Sequence, residues 1–197
     1  DEAGNPVDGD QLLALVALDL HEAGALKNDL VVATVMANLG FVRALEAAGI
    51  AVVTAPVGDK FVAEAMAENG AVLGGEQSGH LIFGAHSTTG DGCLTALKVA
   101  EILAASDTAF SQVAHVFDRY PQVLQNVRVD DPQKVDDADD VWVAVRAAEK
   151  TLGTEGRILV RPSGTEPLVR VMVEATDERV ARTTATNIAE IVQRTLG

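Results

Sequence analysis

The chain has 197 residues, 48% of them hydrophobic, a formal net charge of -14 and a single cysteine. That length and apolar content suffice for one or two ordinary cores. So acidic a balance argues against a nucleic-acid surface or a polybasic membrane patch, which both need excess positive charge, and no apolar run reaches the ~18–20 residues of a membrane span.

Taken in chain order, Asp8-Gly9-Asp10 reads as the cap of a helix over about 10–21, whose apolar run Leu12, Leu13, Leu15, Val16 and Leu18 stops before Gly24. Leu30–Thr34 reads as a buried strand, 37–48 as a helix closed by Gly49, Ile50–Thr54 as a strand, and Asp59–Asn69 as a helix closed by Gly70. Ala71–Leu73 is expected as a third strand, Leu81–Phe83 as a return strand and 91–105 as a helix. Short apolar strands alternating with helices imply crossover units. Residues 1–118 are therefore expected to form an α/β domain of three layers around a mixed, largely parallel sheet. Cys93, with no thiol partner or metal-ligand spacing, reads as a small core residue and fits a reducing cytoplasm. No secretory or lipidation signal opens the sequence, and a start at Asp1 without Met is expected of a piece of a longer chain.

The periodicity breaks at Asp118-Arg-Tyr-Pro-Gln122. Beyond it come a strand (Val123–Val129), an acidic linker (130–140), a helix (Val141–Leu152), a hairpin (157–175) and a final helix capped by Asp177. In that helix Val180, Thr184, Ile188, Ile191 and Thr195 recur at helical spacing. Residues 119–197 thus read as a small α+β domain, an antiparallel sheet with two helices. Charge divides unevenly: residues 1–118 carry 16 Asp/Glu against 4 Lys/Arg, and 119–197 carry 13 against 11.

Three arginines stand around one tight turn in Arg157-Ile-Leu-Val-Arg-Pro-Ser-Gly-Thr-Glu-Pro-Leu-Val-Arg-Val171. Pro162 and Pro167 cannot donate to a central ladder, so 163–166 is a loop between two strands with a valine-rich inner face, and Arg161 and Arg170 flank it on the other side. A phosphate monoester offers acceptors only. Guanidinium forks, short hydroxyls and backbone N–H groups near a glycine match it. The same residues also fit a hairpin whose arginines pair with surface carboxylates. A second polar cluster, Gly74-Gly-Glu-Gln-Ser-Gly-His-Leu-Ile-Phe83, would set Glu76, Ser78 and His80 on one side if extended, a mix of donors and acceptors suited to sugar hydroxyls or an amine. A Gly-rich turn with solvated polar groups fits it equally.

Together these segments resemble the α-D-phosphohexomutase family, and within it the bacterial phosphoglucosamine mutases. Gly75-Glu-Gln-Ser-Gly-His80 is similar to the family's sugar-recognition loop, with Gln77 typical of the glucosamine branch, and Arg161-Pro-Ser-Gly-Thr-Glu-Pro167 with Arg170 resembles its phosphate-binding loop. Thr34-Val-Met-Ala-Asn-Leu-Gly40, Val57-Gly-Asp-Lys-Phe-Val62 and Ser87-Thr-Thr-Gly-Asp-Gly92 resemble further family segments in the same order.

The resemblance implies interconversion of glucosamine 6-phosphate and glucosamine 1-phosphate, for amino-sugar nucleotide and cell-wall precursor synthesis, through a phosphoserine and a bisphosphate intermediate with Mg²⁺. It implies that Glu76 and Ser78 hold the sugar, that Arg161, Ser163, Gly164, Thr165 and Arg170 hold the phosphate that is not reacting, and that His80 and Lys60 have electrostatic or proton-handling roles near the transferring phosphate. The chain departs from the family in lacking the phosphoserine and the metal loop of the first two domains. Asp8-Gly9-Asp10 could be mistaken for that metal loop but falls at a helix entry and is followed by Gln11, and Ala37 stands where a Ser is common. The expected partners are a hexosamine phosphate and the missing N-terminal domains, with no metal ligand in this chain. A phosphomannomutase or phosphoglucomutase fragment and a noncatalytic phosphosugar-binding module are the other readings.

Overall fold

Leu30–Thr34 (β1) is buried along its whole length, as an inner strand covered on both faces must be. In the computed structural model, which describes residues 1–197, it lies between β2 (Ala51–Ala55) and β3 (Leu73–Gly75), with β4 (Leu81–Phe83) beyond β3. β2 and β3 run parallel to β1, and β4 returns antiparallel. Alternation along the strands divides the core. Val31, Ala33, Leu73, Leu81 and Phe83 pack with Leu13 and Val16 of α1 (Gly9–Glu22) and Phe41 and Leu45 of α2 (Leu39–Ala47). Val32 and Ile82 face the opposite way, toward Val62 and Met66 of α3 (Asp59–Asn69). The result is helix, sheet, helix. Gly74 lets α3 lie directly on the sheet, because a Cβ there would stand 2.7 Å from Met66 Sδ and 2.9 Å from Val62 Cγ1.

Two local expectations change. β3 begins two residues later than expected, because the Ala71 N–H still bonds Met66 O in closing α3 and is not free for a ladder. Cys93 is exposed rather than in a core. It sits in the first turn of α4 (Gly92–Ala104), a helix that meets the core through Leu94, Val99 and Ile102, and Cys93 lies off that face. A short helix α5 (Phe110–Val113) follows.

The backbone divides into two units, Asp1–Arg119 and Tyr120–Gly197. In the second, β5 (Gln122–Arg128), β6 (Gly156–Pro162) and β7 (Leu168–Ala175) form an antiparallel sheet in the order β5-β7-β6. Val160, Val169, Val171 and Val173 pack with residues of α6 (Asp139–Leu152) and α7 (Glu178–Leu196). The expected acidic linker contains a 3₁₀ turn, Pro132–Asp137. Pro132 presets its φ, Val135 is fully buried, and the Val135 carbonyl accepts from Trp142 Nε1 at 2.8 Å. The inner face of α7 consists of Ala181, Ala185, Ile188, Ala189 and Val192, whereas Val180 is exposed. The alanines, easily passed over beside larger apolar residues, make this face.

Candidate functional sites

β1 leads through α2 on one face of the first sheet to β2, and β2 leads through α3 on the other face to β3 on the far side of β1. Such a reversal opens a crevice at the carboxyl ends of neighbouring strands, the usual ligand position in open α/β sheets. The turn joining β3 to β4 lies at this end. It is not extended: Gly79 N–H bonds Glu76 O at 2.9 Å and Glu76 N–H bonds His80 O at 3.1 Å. Glu76, Ser78 and His80 therefore do not line up as alternate strand residues. Glu76 is turned toward the start of α3, where its Oε1 accepts the Gly58 N–H at 2.9 Å, and its Oε2 lies 3.7 Å from His80 Nδ1. Ser78 and His80 are exposed. Lys60 stands two residues beyond Gly58, but its ammonium lies 3.8 Å from Glu64 Oε1, one turn along α3. The fold thus brings Glu76 and His80 together and leaves the Lys60 charge on the helix surface.

The turn is seated on the amino end of α1. Asp8 caps that helix by accepting the Gln11 N–H at 3.0 Å, and it pairs with Arg119. Gly9 N–H donates to Gln77 O at 3.0 Å. A Cβ on Gly9 would come within 2.7 Å of Gln77 O and 2.6 Å of Gly79 N, and closer still to Glu76 O, so only glycine permits this contact. Asp10 is fully buried. Its Oδ2 accepts the Asn38 N–H at 2.8 Å and Gln77 Nε2 at 3.3 Å, while its Oδ1 is buried without a partner. Burial pushes the Asp10 carboxyl up to about 6, with the Asn38 hydrogen bond and Arg119 opposing and Asp8 reinforcing the rise.

In the second unit the bend between β6 and β7 is closed by Ser163 N–H bonding Leu168 O at 2.8 Å. Arg161 and Arg170 are paired across the ladder, with Asn126 of β5 next in the row. Like charges directly opposite one another cost stability. Burial, and then the Arg170 charge, lower the Arg161 pKa from its usual value. Arg170 Nη2 donates to Glu166 Oε2 at 3.0 Å and reaches Ser163 Oγ at 3.5 Å, and Arg170 Nε is buried without a partner. Gly164 and Thr165 are exposed, and a Cβ on Gly164 would meet nothing within 4 Å. Two adjacent guanidinium groups with one nearby carboxylate, a buried hydroxyl and open space at the bend make a place for an anion.

Arg157 does not join them. It bonds the fully buried Glu174, which also accepts from Gln122 Nε2 at 3.0 Å. The signal was available, since counting four residues back from Arg161 and four on from Arg170 reaches this pair. Asp10, Asn38 and Gly58, which seat the β3–β4 turn, were not marked by the sequence as site residues. A carboxylate at the head of the apolar run of α1 was the one visible hint.

Residues 8–120 match the family description "Phosphoglucomutase/phosphomannomutase, alpha/beta/alpha domain III" and residues 124–191 match "Phosphoglucomutase/phosphomannomutase, C-terminal domain". The chain belongs to this phosphohexomutase family. Among curated relatives it is 55% identical to a phosphoglucosamine mutase of Frankia alni and 50% identical to one of Geobacillus thermodenitrificans, in both over its whole length. It spans 43% and 44% of the length of those relatives. Among solved structures it resembles Aspergillus fumigatus N-acetylphosphoglucosamine mutase in complex with GlcNAc-6P and magnesium (TM-score 0.81, 22% identity, 99% of this chain and 46% of that one). An N-acetylglucosamine-phosphate mutase in its substrate complex aligns with TM-score 0.79 at 24% identity, over 94% of this chain and 44% of that one. At such identities these two structures speak to the fold alone.

Proposed function

We propose that the chain supplies the sugar-recognising and phosphate-binding parts of a phosphoglucosamine mutase, a cytoplasmic enzyme interconverting glucosamine 6-phosphate and glucosamine 1-phosphate. The observation that carries this reading is the opposed Arg161–Arg170 pair beside buried Ser163, with Arg170 Nε lacking any partner. Each charge-assisted hydrogen bond to a phosphate oxygen is worth roughly 1.5–3 kcal/mol, so an anion at the bend relieves both the like-charge opposition and the unpaired donor. Ser163, Gly164 and Thr165 contribute hydroxyls and approachable backbone to the same phosphate. In the first unit Glu76, held by Gly58 N–H, accepts from sugar hydroxyls or the amine, with Ser78 beside it; His80 and Lys60 take electrostatic or proton-handling roles near the transferring phosphate. In the whole enzyme a phosphoserine passes its phosphoryl group to one sugar oxygen, and the resulting bisphosphate returns the other phosphoryl group to the serine. Catalysis of such transfers consists mainly of positioning and charge stabilisation. The Mg²⁺ of that enzyme is assigned to the metal loop of its N-terminal domains, outside these 197 residues.

Titration calorimetry with glucosamine 6-phosphate tests the reading. The chain binds it, and the Arg161→Ala, Arg170→Ala double variant loses at least about tenfold in affinity; an unchanged affinity would refute the clamp. Phosphorus NMR of the chain with glucosamine 6-phosphate, Mg²⁺ and a bisphosphate activator is expected to show no glucosamine 1-phosphate. Its formation would overturn the division of labour.

A further inference from the structure

We infer that Asp10 is a positioning residue for sugar recognition, whose buried carboxylate ties the Gln77 side chain to the Asn38 backbone and so fixes the turn that presents Glu76 and Ser78. Three segments meet at this carboxylate. Asp10 belongs to the first turn of α1, Asn38 follows β1 and caps α2 through its Oδ1 to Gly40 N–H at 3.0 Å, and Gln77 follows β3. The crevice between β1 and β3 is thereby bridged from below by one oxygen, Asp10 Oδ2. Gln77 is held at two points, by its carbonyl on Gly9 N–H and by its amide on Asp10. An ionised carboxylate only accepts, so the carboxamide must turn its NH₂ toward Asp10. Gln77 is therefore the foot of the turn, and its neighbours Glu76 and Ser78 are the groups left for a sugar.

A buried carboxylate with one oxygen unpartnered is an awkward choice for a purely structural tie. An anion at a helix amino end is favourable, but Asp8 already provides the cap for α1. What Asp10 adds is the link to the turn. The charged and titratable groups around it are Asp8 and Arg119, which are paired with each other, and Glu76 and His80 on the turn itself. With the carboxyl raised to about 6, the Gln77 amide experiences the change from anion to neutral acid near that pH.

The importance of this anchor for sugar binding rests on the function proposed above; its existence does not, and the test separates the two. In the ¹⁵N-labelled chain the Gln77 side-chain NH₂ resonances are followed against pH. They are expected to titrate with a midpoint near 6, to keep that midpoint in His80→Asn and to lose it in Asp10→Asn. A Gln77 amide indifferent to pH, or one whose titration disappears with His80, overturns the inference. Calorimetry with glucosamine 6-phosphate is then expected to show losses of about tenfold in Asp10→Asn and in Gln77→Ala, with the double variant no worse than either single. Inorganic phosphate affinity should be unchanged in all three. Additive losses overturn the proposed route through Gln77. Should Asp10→Asn not fold, Gln77→Ala, which leaves the buried carboxyl in place, still decides by the presence or absence of its loss. A wild-type chain that titrates at Gln77 but binds no hexosamine phosphate refutes the proposed function and leaves the anchor standing.

Discussion

Replacing Gly9 with alanine places a single methyl group against three backbone atoms of the β3–β4 turn, Glu76 O, Gln77 O and Gly79 N. None of them belongs to a flexible side chain, so the turn must lift from α1. Overpacking of this kind costs about 1–3 kcal/mol, and losing the 3.0 Å bond from Gly9 N–H to Gln77 O removes about 1 kcal/mol more. Working in the other direction, alanine is favoured over glycine within helices by up to about 1 kcal/mol. The net expectation is a destabilisation of about 1–3 kcal/mol. Gly92 supplies a matched control: like Gly9 it is the first residue of a helix capped by a preceding aspartate, yet a Cβ there meets nothing within 4 Å. Gly92→Ala should stay within about 0.5 kcal/mol of the parent. Urea unfolding followed by far-UV circular dichroism measures both variants, and hydrogen exchange over residues 76–80 locates the damage. The one tryptophan, Trp142, lies in the second unit, so its fluorescence does not report on this turn directly. Equal stabilities for the two variants would refute the argument, and so would a destabilised Gly9→Ala whose 76–80 amides remain as protected as before.

Asp10 predicts a pH dependence. Its carboxyl is raised from 3.8 to about 6, so the native state holds this proton more tightly than the unfolded chain does. The contribution is full below about pH 4 and is lost as pH rises through about 6, amounting to about 3 kcal/mol. Compared by urea midpoints, the parent should lose ground to Asp10→Asn by about that amount across the window, and parallel curves would refute the shift. Glu174→Gln should cost about 3 kcal/mol, because it leaves a partly buried Arg157 facing a neutral partner; thermal unfolding of the second unit, followed through Trp142, checks it. Arg161→Gln should cost less than about 0.5 kcal/mol without ligand, since it removes a like-charge opposition. Phosphate at about a hundred times its Kd should stabilise the parent by about 2.7 kcal/mol and Arg161→Gln by distinctly less, as read from melting temperatures.

Alternation and helix stops made most of the fold legible. A strand such as Leu30–Thr34, preceded by Asn28 and Asp29 and holding the β-branched Val31, Val32 and Thr34, has few other options, and helices that run into Gly49 or Gly70 end where left-handed backbone is needed. The hairpin bend was legible for a related reason: Pro162 and Pro167 fix both strand ends, and the Arg161–Arg170 pairing follows from hairpin geometry. Hidden from the sequence were the contacts made by distance in sequence and proximity in space. Asp10 meets Asn38 and Gln77, 28 and 67 residues away, and no local pattern encodes that meeting. Cys93 and the face of α7 were misplaced because burial depends on which side of a helix meets the body of the unit, and small alanines carry that information as well as large side chains do.

The outer side of the second sheet is ordered in rows. At one end Arg157, Glu174 and Gln122 are locked together; Leu159, Met172 and Leu124 form the middle row; at the other stand Arg161, Arg170 and Asn126. Four residues of strand, roughly 13 Å, separate a neutralised root from a cationic tip. The hairpin is in this sense a cantilever, fastened where its charges cancel and responsive where they do not. On the function proposed above, substitutions beyond Arg161 retune which anion is gripped without loosening the fastening, which leaves ligand preference free to drift on a scaffold that stays put.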